Sequence, residues 1–127
     1  MKRDMELCRE ILFALEEQYV DTAIVNLKVA GHGMKEVAYH CKLLYEAGFV
    51  ASYNPKYGSN TLLAFSVGGM TWDGHELLDK IREDTVWNKT KDLIKEKGLP
   101  MALEVVKNVA TTMITVMTQG AIQGLKP

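Results

Sequence analysis

The stretch from Val37 to Val50, reading VAYHCKLLYEAGFV, constrains the fold more than any other part of the chain. It reads as a helix that ends at a glycine stop and runs straight into a strand. Val37, Cys41 and Leu44 form the inner stripe of a helix over about Met34 to Ala47, with His40 and Ala47 beside it. Gly48 ends that helix in a left-handed conformation that a residue with a Cβ resists. Phe49 to Tyr53 alternates as a strand, Asn54 to Asn60 carries turn chemistry, and Leu62 to Val67 is the return strand. The expected product is a β-hairpin with a fairly long tip, ended by Gly68-Gly69.

The flanks add helices. Asp4 is placed to cap a first helix whose apolar face is Met5, Cys8, Ile11, Leu12 and Leu15, running to about Glu17. The β-branched stretch Tyr19 to Val29 predicts a short strand, and Gly31-His32-Gly33 a turn. After the hairpin, Thr71 caps a third helix with Asp73 in its first turn and Leu77, Leu78 and Ile81 on its apolar side. Asp84-Thr85 marks a bend, and Val86, Trp87, Leu93 and Ile94 continue helical spacing to Gly98. Trp87 is expected to anchor the second half of the chain to the first. Pro100 suits the first turn of a last helix, whose apolar residues between Met101 and Met117 exceed what one exposed helix carries. That helix packs either on the domain or on another copy. The end, Gly120 to Pro127, is expected to fray.

A length of 127 residues allows one compact core with a helical appendage. The net charge is −1, whereas a free-standing DNA binder is usually basic. The distribution is uneven. Met1 to Asp21 carries three basic and six acidic side chains, and Thr22 to Asn60 four basic and two acidic. Cys8 and Cys41 fall on apolar helical faces and read as buried reduced thiols. The N-terminus has acids within its amphipathic pattern and does not read as a secretory signal. Met101 to Met117 is interrupted by Glu104, Lys107, Asn108 and threonines, so no membrane span and a cytoplasmic protein are expected.

A helix running into a hairpin, followed by a restarted helix, is the order in which a winged helix is written. The expectation is therefore an α+β, winged helix-turn-helix-like domain over residues 1–70, its hairpin the wing, with a C-terminal helical extension over 71–127. In that fold the helix before the hairpin enters the major groove and the hairpin tip touches the backbone. Lys35 and Lys42 would contact phosphate, and Tyr39 would meet phosphate or a thymine methyl. Lys56 and Tyr57 are expected at the hairpin tip, where a wing reaches the backbone. This face has no arginine, the commonest reader of guanine, and carries Glu36 and Glu46. A second class therefore stays open: a protein-interaction adaptor using the same scaffold without DNA binding.

No residue set points to an enzyme, a metal or a cofactor. His40 and Cys41 are adjacent on a helix and diverge by about a hundred degrees. His40 reads as a satisfied histidine at the helix–sheet boundary, and neither His32 nor His75 has a partner carboxylate or cysteine at chelating spacing. Asp73 and Glu76 fit a helix start, and the glycine pairs lack the spacing and lysine of a phosphate loop.

Two resemblances follow. His40 to Val50 resembles the recognition-helix end of bacterial winged-helix repressors of the arsenical-resistance and multiple-antibiotic-resistance types, with Cys41 where leucine is usual. Met70 to Leu78 resembles the stretch after the wing in the same superfamily. The chain is also similar, over about Met1 to Val109, to domain-of-unknown-function family 2513, small bacterial and prophage proteins. The residues that carry this are Met1 to Met5, Val37 to His40, Leu43-Leu44, Ala47-Gly48, Thr71 to Glu76 and Ile81 to Lys89. The resemblance implies a winged helix and a mobile-element setting, and carries over no catalytic residue. One departure is that Asp21 to Gly33 does not read as the positioning helix that repressors place before the reading helix. The expected partners are double-stranded DNA and a second copy, the homodimer forming through the last helix with Val106, Val109, Met113 and Ile114 central.

Overall fold

The computed structural model describes residues 1–124. Its elements are α1 (Met5–Gln18), β1 (Ile24–Val25), α2 (Met34–Glu46), β2 (Tyr53–Gly58), β3 (Thr61–Val67), α3 (Trp72–Ile81), α4 (Asp84–Glu96) and α5 (Leu103–Gly124). The fold class is α+β, with an antiparallel three-stranded sheet in the order β1-β3-β2. Two compact units divide within α3, at Leu78 and Asp79.

In the first unit α1 packs on α2. The Asp4 carboxylate accepts from the backbone N–H groups of Glu6 (2.9 Å) and Leu7 (3.3 Å), which are orphan donors of the first turn. His40 is fully buried where α2 meets the start of α1, rather than at the helix–sheet boundary. Its Nε2 lies 2.8 Å from the Asp4 N–H and its Nδ1 lies 2.8 Å from the Glu36 carbonyl. The amide can only donate, so the ring is the neutral tautomer with its proton on Nδ1, and both nitrogens are satisfied. α2 ends in a Schellman motif. Gly48 has φ 84°, its N–H donates to the Tyr45 carbonyl, and the Phe49 N–H donates to the Leu44 carbonyl.

The hairpin differs from expectation. Phe49 to Ser52 forms no strand but runs beside Gly68 to Thr71, with a bridge from Val50 to Met70 and bonds from the Ala51 N–H to the Gly69 carbonyl and from the Gly68 N–H to the Ser52 carbonyl, and β2 begins at Tyr53 and runs through residues expected to turn. Pro55 is tolerated because β2 is an edge strand, where a missing N–H costs no ladder bond. The reversal takes only Ser59 and Asn60, with φ 50° and 64°, the positive pair of a type I′ turn. Lys56 and Tyr57 are therefore in the strand, opposite Ala64 and Leu62, and not at the tip. Leu63 is the extra residue of a bulge in β3.

β1 is two residues long, opposite Val67 and Ser66. Asn26 extends the ladder, since its N–H donates to the Phe65 carbonyl and its side-chain oxygen accepts from the Phe65 N–H. No helix forms between β1 and α2. At the start of α3 the Thr71 hydroxyl donates to the Gly48 carbonyl (2.6 Å) and accepts from the Gly74 N–H (3.1 Å). A Cβ on Gly74 would collide with the Phe49 carbonyl oxygen. These contacts tie the first turns of α3 to the hairpin base, which is why residues 71–78 fall in the first unit.

In the second unit α4 and α5 pack on each other. Trp87 is buried, with the Lys91 ammonium 5.3 Å from its ring centroid. α4 also ends in a Schellman motif, on Gly98 with φ 66°. Pro100 lies outside α5, which starts at Leu103. Helix persists from Gly120 to Gly124, where fraying was expected, and residues 125–127 lie outside the described residues.

Candidate functional site

Lys35, Tyr39 and Lys42 occupy successive turns of the outer face of α2. Both lysines are exposed, and Tyr39 is half-buried between them. The facing wall comes from the hairpin. In β2, side chains alternate between faces, so Tyr53 and Tyr57 point the same way and Lys56 points the other. Lys35, Tyr39, Lys42, Tyr53 and Tyr57 thus line one cleft of about 270 Å³, with Asn60, Thr61 and Leu62 from the turn and β3. Four of the five residues expected to touch DNA meet here. Lys56 instead lines a shallow depression with Val25 and Asn54.

Tyr53 was not among the expected site residues. Its signal, two tyrosines four apart, becomes visible only once β2 is known to start at Tyr53. Its ring tilts against Phe65, 6.2 Å between centroids. Burial, reinforced by Tyr57 and Cys41, raises the pKa of its hydroxyl, which stays protonated.

The electrostatics of this face favour anions more than the sequence suggested. Lys35 has no ion-pair partner among the described residues, and Lys42 is only 3.9 Å from Glu46 at an exposed site, a weak pair. Glu36 is occupied by His32, whose Nδ1 lies 2.9 Å from its carboxylate. The other ring nitrogen lies 3.4 Å from Glu10 on α1. His32 therefore does have carboxylate partners, contrary to expectation, one of them at i+4. The hydrogen bond to Glu36 is the first cause of its raised pKa, with the charges of Glu36, Glu10 and Asp4 acting in the same direction against desolvation. Among the described residues, no group of three potential metal ligands exists.

Cys8 and Cys41 are free and buried, and burial pushes both thiols up to about 12. Neither is a nucleophile in the folded chain. Asp73, His75 and Glu76 are exposed on the first turns of α3.

Residues 2–100 match the family described as "Hypothetical protein (DUF2513)". The chain belongs to this family. A relative from Haemophilus influenzae, described as an uncharacterized protein, is 42% identical over 118 residues. The match spans 92% of this chain and 98% of that one. No solved structure matches. The DUF2513 match takes in the helix and hairpin residues of the cleft and all of α4, and stops before α5.

Of the α5 residues expected at a dimer interface, Val106 is fully buried within the chain, as is Ala110. Val109, Met113 and Ile114 are half-buried. Further along, Val116 and Met117 are 55% and 38% exposed. Among the described residues no helix is long and apolar enough to cross a membrane.

Proposed function

We propose that this DUF2513 protein is a small winged-helix DNA-binding protein, a transcriptional regulator of a bacterium or its phage, that docks on double-stranded DNA with α2 and the β2–β3 hairpin. The observation that carries this reading is the convergence of Lys35, Tyr39, Lys42 and Tyr57 on one cleft between that helix and that hairpin. The sheet order β1-β3-β2, with a helix leading into the hairpin, supports the winged-helix assignment. The positioning helix of a standard repressor is missing, and α1 takes over its role by clamping α2 through His40. The homodimer of this reading uses the part of α5 beyond Val106, where Val109, Met113 and Ile114 retain free surface.

The test is selection from a random duplex pool at low and at physiological salt. A shared sequence at both salts supports a specific regulator, and light scattering of the same complexes reads the dimer. Replacing Lys35 and Lys42 together by alanine is expected to weaken binding to all sequences and to flatten the log–log salt slope by about 2, near 0.9 per phosphate contact. An unchanged slope removes α2 from the backbone. A second reading, the protein-interaction adaptor, is favoured by Trp72, which is 78% exposed at the start of α3. Failure to enrich any duplex at either salt decides for it.

A further inference from the structure

We infer that the cleft between α2 and β2 takes an unpaired nucleobase, so the preferred nucleic acid is a duplex with a single-stranded tail rather than a continuous duplex. This deepens the DNA reading of the same site and rests on it.

Phosphate contact alone calls for cations. This site also supplies aromatic rings: Tyr39 from the helix, and Tyr53 and Tyr57 from the strand. Two of the rings are braced. Tyr39 stands edge-on to His40 at 5.6 Å and 83°, and Tyr53 leans on Phe65. Tyr57 is 62% exposed and forms the outer wall. A continuous B-form duplex keeps its bases stacked and offers only their edges in the groove. It has nothing to place in a concavity walled by rings. An unstacked base presents a π-face, which aromatic side chains accept with little regard to sequence.

Size and charge agree. The volume of about 270 Å³ lies just under the ~300–1,000 Å³ of pockets that hold a drug-sized ligand, and suits one planar heterocycle. Lys35 and Lys42, seven residues apart, stand about 10 Å apart along the helix axis and can meet phosphates on either side of that base. Asn60 and Thr61 bring an amide and a hydroxyl from the turn for the base edge. No carboxylate lines the cleft to repel the backbone.

The experiment measures, for the full chain, the affinity for a blunt duplex and for the same duplex with a thymine tail. The tailed duplex is expected to bind between about fivefold and about a hundredfold tighter, the range of one stacked base. Tyr57→Ala is expected to bring the tailed-to-blunt ratio close to one, and Tyr57→Phe, which keeps the ring, to preserve it. Tailed binding without blunt binding supports the base site and overturns the continuous-duplex reading. Equal affinity for both overturns the base site and leaves the duplex reading standing. A preference that Tyr57→Ala does not alter overturns the assignment to this cleft. No binding to either DNA overturns both.

Discussion

The two units of the chain are specified in different ways. In Met1 to Leu78, single residues hold particular backbone atoms. Asp4 caps α1, His40 spans the Asp4 amide and the Glu36 carbonyl, and Thr71 bridges Gly48 and Gly74. From Asp79 onward the rules are looser. α4 and α5 share apolar surface, and the hydroxyls of Thr111, Thr112 and Thr115 return to carbonyls of their own helix. The Thr90 hydroxyl is buried with no hydrogen-bond partner among the described residues. α5 has 22 residues to the 13 of α4, so it is longer by about 14 Å at ~1.5 Å per residue. The first unit is specified contact by contact. The second fixes an amount of buried apolar area and leaves Val116 and Met117 of α5 exposed.

The strongest challenge to this contrast is Gly74→Ala. The new methyl group would meet the Phe49 carbonyl, a backbone atom that moves only if the base of the hairpin moves. A loss of about 3 kcal/mol is expected, the upper part of the overpacking range, despite the roughly 1 kcal/mol that alanine gains in helix propensity. Chemical denaturation measures it. Wild-type stability would mean that the start of α3 shifts freely and that the first unit is no more tightly specified than the second.

Next in size is a pair of opposite sign. His40→Leu removes the acceptor of the part-buried Asp4 N–H and leaves the Glu36 carbonyl without its ring donor, and is expected to destabilise by about 2 kcal/mol. Thr90→Val removes a hydroxyl that has no partner and is expected to stabilise by about 1 kcal/mol. Denaturation midpoints that move the same way for both variants would break the comparison, because the polar groups of the two units would then be equally well satisfied.

The same contrast explains what could be read from the sequence. The Asp4 and Thr71 caps and the stops at Gly48 and Gly98 are local chemistry, and they are found where expected. The hairpin was misplaced because Ser59-Asn60 lacks the glycine of the usual type I′ pair, while Pro55 and Gly58 read as turn residues. Fixing the start of β2 at Tyr53 decides which of Lys56 and Tyr57 faces α2, so an error of a few residues placed Lys56 in the site and omitted Tyr53. The Glu36 contact to His32 is a local i, i+4 pair, but the Glu10 contact depends on α1 packing on α2. In α5 the helix was legible. That Val106 is spent inside the chain was not, because that depends on tertiary packing.

The smallest expected effect separates the units by pH. All three histidines, His32, His40 and His75, lie in the first unit, so histidine-linked pH dependence near neutrality belongs to it. The folded-state pKa of His32 is raised, chiefly by its bond to Glu36. Its contribution to stability is therefore fully present below the unfolded value of about 6.5 and is lost as pH rises through the folded value. His32→Gln should lower the melting temperature at about pH 6 and lower it less at about pH 9. A difference that stays constant over that range would mean the imidazolium is not what holds Glu36. While charged, His32 offsets Glu36, which neighbours Lys35 in α2 but does not line the cleft, and as His32 deprotonates that carboxylate is no longer offset. On the proposed DNA reading, affinity should then fall more steeply with pH in the wild type than in His32→Gln, and equal slopes would mean that the His32–Glu36 contact does not act on the bound backbone.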